Sequence, residues 1–90
     1  MKDRNNCFLY RIESDGRAKI YGEFTSLSAA KMSAKLLLIR DVCMILTGDL
    51  TKLYFYEEDG SWDYDTLTDY GRAEFFKEYP HPKDYKNSLE

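Results

Sequence analysis

Leu53-Tyr54-Phe55-Tyr56-Glu57-Glu58-Asp59-Gly60-Ser61-Trp62-Asp63-Tyr64-Asp65 is the stretch that decides the fold. Leu53 to Glu57 is almost entirely aromatic or apolar, the composition of a β-strand. Glu58-Asp59-Gly60-Ser61 offers a tight turn, because Gly accepts the positive φ that such turns need. Trp62 to Asp65 then alternates aromatic and acid, which suits an edge strand with one wet face. Strands joined by so short a turn run antiparallel. The middle of the chain is therefore a hairpin at the edge of a sheet.

Working back toward the N-terminus, Gly48-Asp49 turns the chain, and Val42 to Thr47 is an apolar run too short for a helix and suited to a central strand. Cys7 to Glu13 reads as a strand with Phe8, Tyr10 and Ile12 on one side. Ser14-Asp15-Gly16-Arg17 is a second hairpin turn, and Ala18 to Phe24 a further strand, with Ala18, Ile20 and Gly22-Phe24 alternating with Lys19, Tyr21 and Glu23. Thr25-Ser26 marks a helix start, since a hydroxyl there accepts from the free amides of the first turn. Leu27, Ala30, Ala34, Leu37 and Leu38 follow at helical spacing, and the two alanines permit close approach to a sheet. This helix is expected to stop between Ile39 and Asp41.

Toward the C-terminus, Thr66 or Thr68 caps a shorter helix, Asp69 to Tyr79, with Ala73, Phe76 and Phe75 available to close over the sheet. Gly71 weakens it by about 1 kcal/mol relative to Ala. Tyr79-Pro80-His81-Pro82 ends it, because residues before proline avoid the α region. His81 is expected to be exposed, and residues 83–90 to form a frayed polar tail. The expected fold is a single α+β domain over residues 1–90. It has an antiparallel sheet of about five strands in the order strand-strand-helix-strand-strand-strand, one helix packed on a face, and a short C-terminal helix.

Charge is unevenly spread. Residues 51–90 hold ten of the sixteen acids and six of the eight tyrosines, for a net of −5, whereas residues 1–50 carry +2. An acidic, tyrosine-rich surface beside a mildly basic one points to recognition by contact. The overall charge of −3 argues against direct nucleic-acid binding through a general basic coat. No apolar run approaches the roughly 18 residues needed to cross a bilayer, so no membrane partner and a cytoplasmic location are expected. Cys7 and Cys43 are far apart, with neither CxxC nor a nearby His, and read as reduced core residues.

The chemistry of a reaction is not visible. His81 has no partnered nucleophile, no ligand set has metal spacing, and the glycines form no phosphate-cradling loop. No catalytic residue, metal or cofactor is expected. The aromatics Tyr54, Phe55, Tyr56, Trp62 and Tyr64 form core on one face of the sheet and, unless the second helix covers them, a bare aromatic face on the other. Such a face binds single-stranded nucleic acid when cations surround it. Here the sequence neighbours are Glu57, Glu58, Asp59, Asp63 and Asp65, which fit a basic protein partner better. Lys31 and Lys35, with Arg40, make a small basic helix face. An exposed aromatic edge strand permits a homodimer without requiring one.

Thr25-Ser26-Leu27-Ser28-Ala29-Ala30-Lys31, opening the helix after the first hairpin, and Leu53-Tyr54-Phe55-Tyr56-Glu57-Glu58-Asp59-Gly60 followed by Trp62 carry a family resemblance. Over residues 7–65 the chain resembles the ninth family of type I-F anti-CRISPR inhibitors, small phage proteins with an SLSxAK helix opening, an aromatic strand, an acidic EDG turn and a Trp. The resemblance implies a five-stranded antiparallel sheet with one helix. It also implies binding to the backbone subunits of a CRISPR effector complex in the path of target DNA, inside a bacterial host cell. Basic helix residues take part in that docking: Lys31 transfers by motif and Lys35 is its neighbour. The position after Lys31 is basic in the family and Met32 here, and residues 66–90 have no counterpart. The expected function is a stoichiometric anti-CRISPR-like inhibitor, with partner contacts drawn from Lys31, Lys35, Glu57, Glu58, Asp59, Asp63, Tyr64 and Asp65. The alternative is a nucleic-acid-binding accessory protein or a mobile-element interaction domain.

Overall fold

The computed structural model describes residues 6–88. Five strands, β1 (Cys7–Ile12), β2 (Ala18–Phe24), β3 (Cys43–Thr47), β4 (Lys52–Tyr56) and β5 (Trp62–Thr66), form one sheet in the order β2-β1-β3-β4-β5. Every neighbouring pair is antiparallel. Helix α1 (Leu27–Leu36) crosses from β2 to β3, and α2 (Asp69–Glu78) and α3 (Pro82–Ser88) follow β5. The expected α+β architecture is thus observed.

Helices cover both faces of the sheet. On one face Cys7, Leu9, Cys43 and Ile45 pack with Ala30, Ala34 and Ile39. On the other, Phe8, Tyr10, Ile20 and Leu46 pack with Phe75. Cys7 to Tyr10 of β1 are therefore all buried, although the strand alternates. Ala30 and Ala34 have no exposed surface, so α1 lies directly on the strands, as its small residues allow.

β2 departs from simple alternation. Its register against β1 slips by one residue, with Leu9 opposite Gly22 and Tyr10 opposite Ile20, which leaves Tyr21 as the extra residue of a bulge. A bulge reverses the facing of whatever follows it. Ala18 and Ile20 consequently face the Phe75 side, while Phe24 joins the α1 side.

The helix ends show how local chemistry sets boundaries. Ser26 caps α1, its hydroxyl accepting from the Ala29 amide at 3.1 Å. The helix stops at Leu36, earlier than its apolar spacing predicts. Leu38 takes a left-handed conformation with φ of 60°. Its amide donates to the Lys35 carbonyl at 3.1 Å, and the Ile39 amide to Ala34 at 3.1 Å. That bond pair closes a helix around one left-handed residue, a place usually held by Gly. It returns Ile39 to the core and turns Leu37 and Leu38 outward, so these two are not the core residues that their spacing predicts.

Thr68 caps α2, accepting from the Gly71 amide at 3.0 Å. Arg72, Phe75, Phe76 and Tyr79 form its inward stripe. Arg72 donates to the carbonyls of Leu50 at 3.1 Å and Leu67 at 3.2 Å and pairs with Asp69. Phe75 is the buried anchor and Ala73 is exposed, a phase set by the cap one residue before Asp69. Residues 83–88, expected in a frayed tail, belong to α3, and residues 89–90 lie outside the described residues. Pro82 starts that helix, where its missing N–H costs nothing. Tyr85 packs on the Phe75 cluster. His81 is half-buried, its ring 4.4 Å from that of Phe76, and its Nδ1 accepts from the Lys83 amide at 3.1 Å.

Tyr10 ties this C-terminal layer to the sheet. Its fully buried hydroxyl donates to the Pro80 carbonyl at 2.5 Å, and its ring meets Phe75 edge-on. Tyr10→Phe removes the donor and leaves that carbonyl short of a partner, which costs about 1–2 kcal/mol. Urea unfolding should show that loss. Hydrogen exchange should show faster amide exchange in residues 82–88 than in β3, because the broken tie holds the α2–α3 junction.

Candidate interaction face

The β4–β5 register explains how the site is built. The Glu57 amide donates to the Ser61 carbonyl at 2.8 Å and the Leu67 amide to Thr51 at 2.7 Å. Alternation along an antiparallel ladder then makes Phe55·Asp63 and Leu53·Asp65 the hydrogen-bonded pairs. Tyr56·Trp62, Tyr54·Tyr64 and Lys52·Thr66 are the non-bonded pairs, whose side chains come closer together. The rings confirm this, with centroids 5.3 Å apart for Tyr56–Trp62 and 5.2 Å for Tyr54–Tyr64. All four lie on the α1 face, where Tyr54 and Trp62 adjoin its core.

Cations from three elements lie over this ridge of rings. Lys31 of α1 places Nζ 5.4 Å from the Tyr54 centroid and 5.7 Å from that of Trp62. The Arg40 guanidinium is 4.6 Å from Tyr56, and Lys52 Nζ is 5.1 Å from Tyr64. Ring faces attract cations through their quadrupole, by about 0.5–1 kcal/mol at exposed sites. Among the described residues none of Lys31, Lys35, Arg40 or Lys52 is in an ion pair. Lys31, Lys35 and Arg40 also line one shallow pocket with Ser28, Met32 and Trp62, about 280 Å³ in volume.

The acids fall elsewhere. Asp63 and Asp65 point to the opposite side of β5 from Trp62 and Tyr64, because successive side chains alternate. The acidic aromatic face expected from the sequence is therefore two faces. The rings, half-buried except for the exposed Tyr64, sit among cations, and Asp63 and Asp65 stand apart from them. Asp63 also accepts from the Tyr64 amide at 2.8 Å, satisfying a donor on the open edge of the sheet. Asp59 is occupied by its turn: its carboxylate accepts from the Ser61 amide at 3.0 Å and hydroxyl at 2.6 Å, which holds it below the usual carboxylate range. Gly60, at φ of 91°, closes that turn. Glu57 and Glu58 border a separate shallow pocket with Asp41 and Tyr56.

Of the expected contact residues, the structure gathers Lys31, Lys35 and Tyr64 on the ridge face and places Glu57, Glu58, Asp59, Asp63 and Asp65 at the turn or behind it. Lys52 was missed. Its signal was its position two residues before Tyr54, which puts it on the same side of the strand. Among the described residues no polar or charged side chain is buried, and no three His, Cys, Asp or Glu side chains converge on a metal position. No helix of the described residues is long and apolar enough to cross a membrane.

Both cysteines are free and buried. Burial, with Asp41 adding and Arg40 opposing, raises the Cys43 thiol from its ordinary 9.0 to about 11. Burial and Asp49 also raise Cys7, and burial, then Asp84, raises Tyr10. The unfolded chain releases these protons at lower pH than the folded one. The associated stability is therefore full below about pH 9 and is lost as pH climbs through 11. Urea midpoints should be flat from neutrality to about pH 8.5 and fall beyond it. A midpoint rising over that alkaline window would contradict the buried-thiol assignment.

No protein-family model, curated protein or solved structure matches this chain.

Proposed function

We propose that this chain is a stoichiometric binding protein of the anti-CRISPR kind, docking on a protein subunit of a bacterial CRISPR effector complex and obstructing its nucleic-acid path. The observation that carries the reading is the state of Lys31. The residue at the end of the SLSAAK opening lies over Tyr54 and Trp62, beside Lys35 and Arg40, and is in no ion pair among the described residues. A cation held against rings has lost part of its side-chain freedom before any partner arrives, which favours binding. The phage origin, the bacterial cytoplasm and the effector subunit all belong to this proposal.

The test is co-purification of tagged protein with purified type I and type II effector complexes, followed by mass spectrometry. One complex retained at fixed stoichiometry, with loss of its DNA binding, supports the reading. Retention of none sinks it.

A second reading is favoured by the separation of acids from rings. Aromatics flanked by Lys31, Arg40 and Lys52 resemble a stacking platform for single-stranded nucleic acid. Trp62 emission titrated with oligo-dT at low salt decides this one. Saturable quenching that weakens with salt supports direct binding, and an unchanged spectrum at micromolar protein removes it.

A further inference from the structure

Two described non-glycine residues have positive φ, Leu50 (64°) and Leu38 (60°). Leu50 is accounted for by packing: its side chain adjoins the Phe75 cluster and its carbonyl accepts from Arg72. The backbone of Leu38 closes α1 through its amide bond to Lys35, yet its side chain gains no burial from that turn. Leu38 is 88% exposed in a conformation disfavoured for any residue with a Cβ, at a helix end where Gly is the ordinary solution. Strain kept at an exposed position is a sign of use.

Its surroundings are apolar too. Leu36 is 73% exposed, Met32 53% and Leu37 48%. Met32 and Leu36 stand one turn apart on the side of α1 next to Lys31 and Lys35. Between Glu23 and Asp49 the chain holds Lys31, Lys35 and Arg40 against Asp41 alone, a net of +2. An apolar centre with a charged rim is the anatomy of a protein interface.

We propose that the apolar end of α1, centred on Leu36 and Leu38, anchors the docking surface, and that its occupant is a protein segment carrying large apolar side chains flanked by carboxylates. The inference rests on the reading of this chain as a protein-binding module. It does not depend on which protein is bound. Lys35 and Arg40 supply the complementary charge. A second copy docking through the same patch would set these cations against their own kind.

The test pans a random-peptide phage library on the immobilised full chain and measures the selected peptides against wild type, Leu38→Gly and Leu36→Ser. Selected peptides should combine Leu, Phe, Trp or Met with Asp or Glu. Either substitution should weaken them about tenfold or more, as expected for loss of one buried Leu. Leu38→Gly should also raise the thermal midpoint by about 5 °C, because Gly relieves the left-handed strain. Weaker binding in a more stable protein separates loss of the anchor from loss of the fold.

The proposal is overturned if no peptide is enriched, if the enriched peptides lack acids or large apolar residues, or if they bind Leu38→Gly undiminished. It is equally overturned if Leu38→Gly abolishes a concentration-dependent dimer, or abolishes co-sedimentation with phosphatidylglycerol vesicles. Failure to capture any effector complex, with the peptide result intact, would remove the CRISPR target and leave the anchor standing.

Discussion

Ile45→Ala is expected to lower the unfolding free energy by about 3–4 kcal/mol, a cost typical of truncating a fully buried branched side chain that leaves a cavity. Ile45 has no exposed surface and lies on the central strand β3, in the cluster with Ala30 and Ala34. Those alanines are on a helix anchored by Ser26 and by the turn at Leu38, so α1 cannot settle to fill the space. A domain of this size has about 5–13 kcal/mol in total, and the urea midpoint should fall by about 2 M. Leu46→Ala should cost a similar amount from the opposite face, where Leu46 packs with Phe75. Trp62 separates the two, because it adjoins the α1 cluster alone. Its native emission should shift in Ile45→Ala and stay unchanged in Leu46→Ala. The double variant should not fold at 37 °C. A cost below about 1 kcal/mol for Ile45→Ala would mean that α1 is not packed as described.

Strand positions were legible because pleat alternation and turn chemistry are both local. Gly16 and Gly60 mark hairpins, and Ser26 and Thr68 cap the two longer helices, all within a few residues of the elements they delimit. What the sequence hid depends on phase. The extra residue Tyr21 in β2 leaves no compositional mark, yet it moves Phe24 to the other face. The early end of α1 turns on one left-handed leucine, where apolar spacing alone predicts that the helix continues. The candidate face was obscured for a related reason. Trp62-Asp63-Tyr64-Asp65 looks like one acidic aromatic surface when read linearly, and strand geometry divides it in two. The cations Lys31 and Arg40 then come to the rings from elsewhere in the chain. The helical nature of residues 83–88 was hidden because their visible anchor is one aromatic, Tyr85, which packs on the Phe75 cluster from a distant part of the chain.

Lys31→Glu is expected to abolish partner binding while leaving the fold in place. Among the described residues this half-buried side chain makes ring contacts, worth about 1 kcal/mol, so the urea midpoint should move little. At the proposed interface the reversal would replace an attractive charge by a like charge opposite a partner's acids, a penalty of several kcal/mol. That corresponds to about 100-fold or more in Kd. Lys31→Met keeps the apolar stem over Tyr54 and Trp62 and removes only the charge, so it should fall between wild type and Lys31→Glu. Asp63→Lys with Asp65→Lys alters the opposite side of β5 and should leave affinity near that of wild type. Calorimetry with the captured effector complex at two salt concentrations measures all three, and the wild-type advantage over Lys31→Glu should shrink as salt rises. The reverse ranking, with the double aspartate variant inactive and Lys31→Glu unaffected, would transfer the docking surface to the acidic side. The placement of these residues makes the comparison decisive, since the sheet itself separates the two sets of charges.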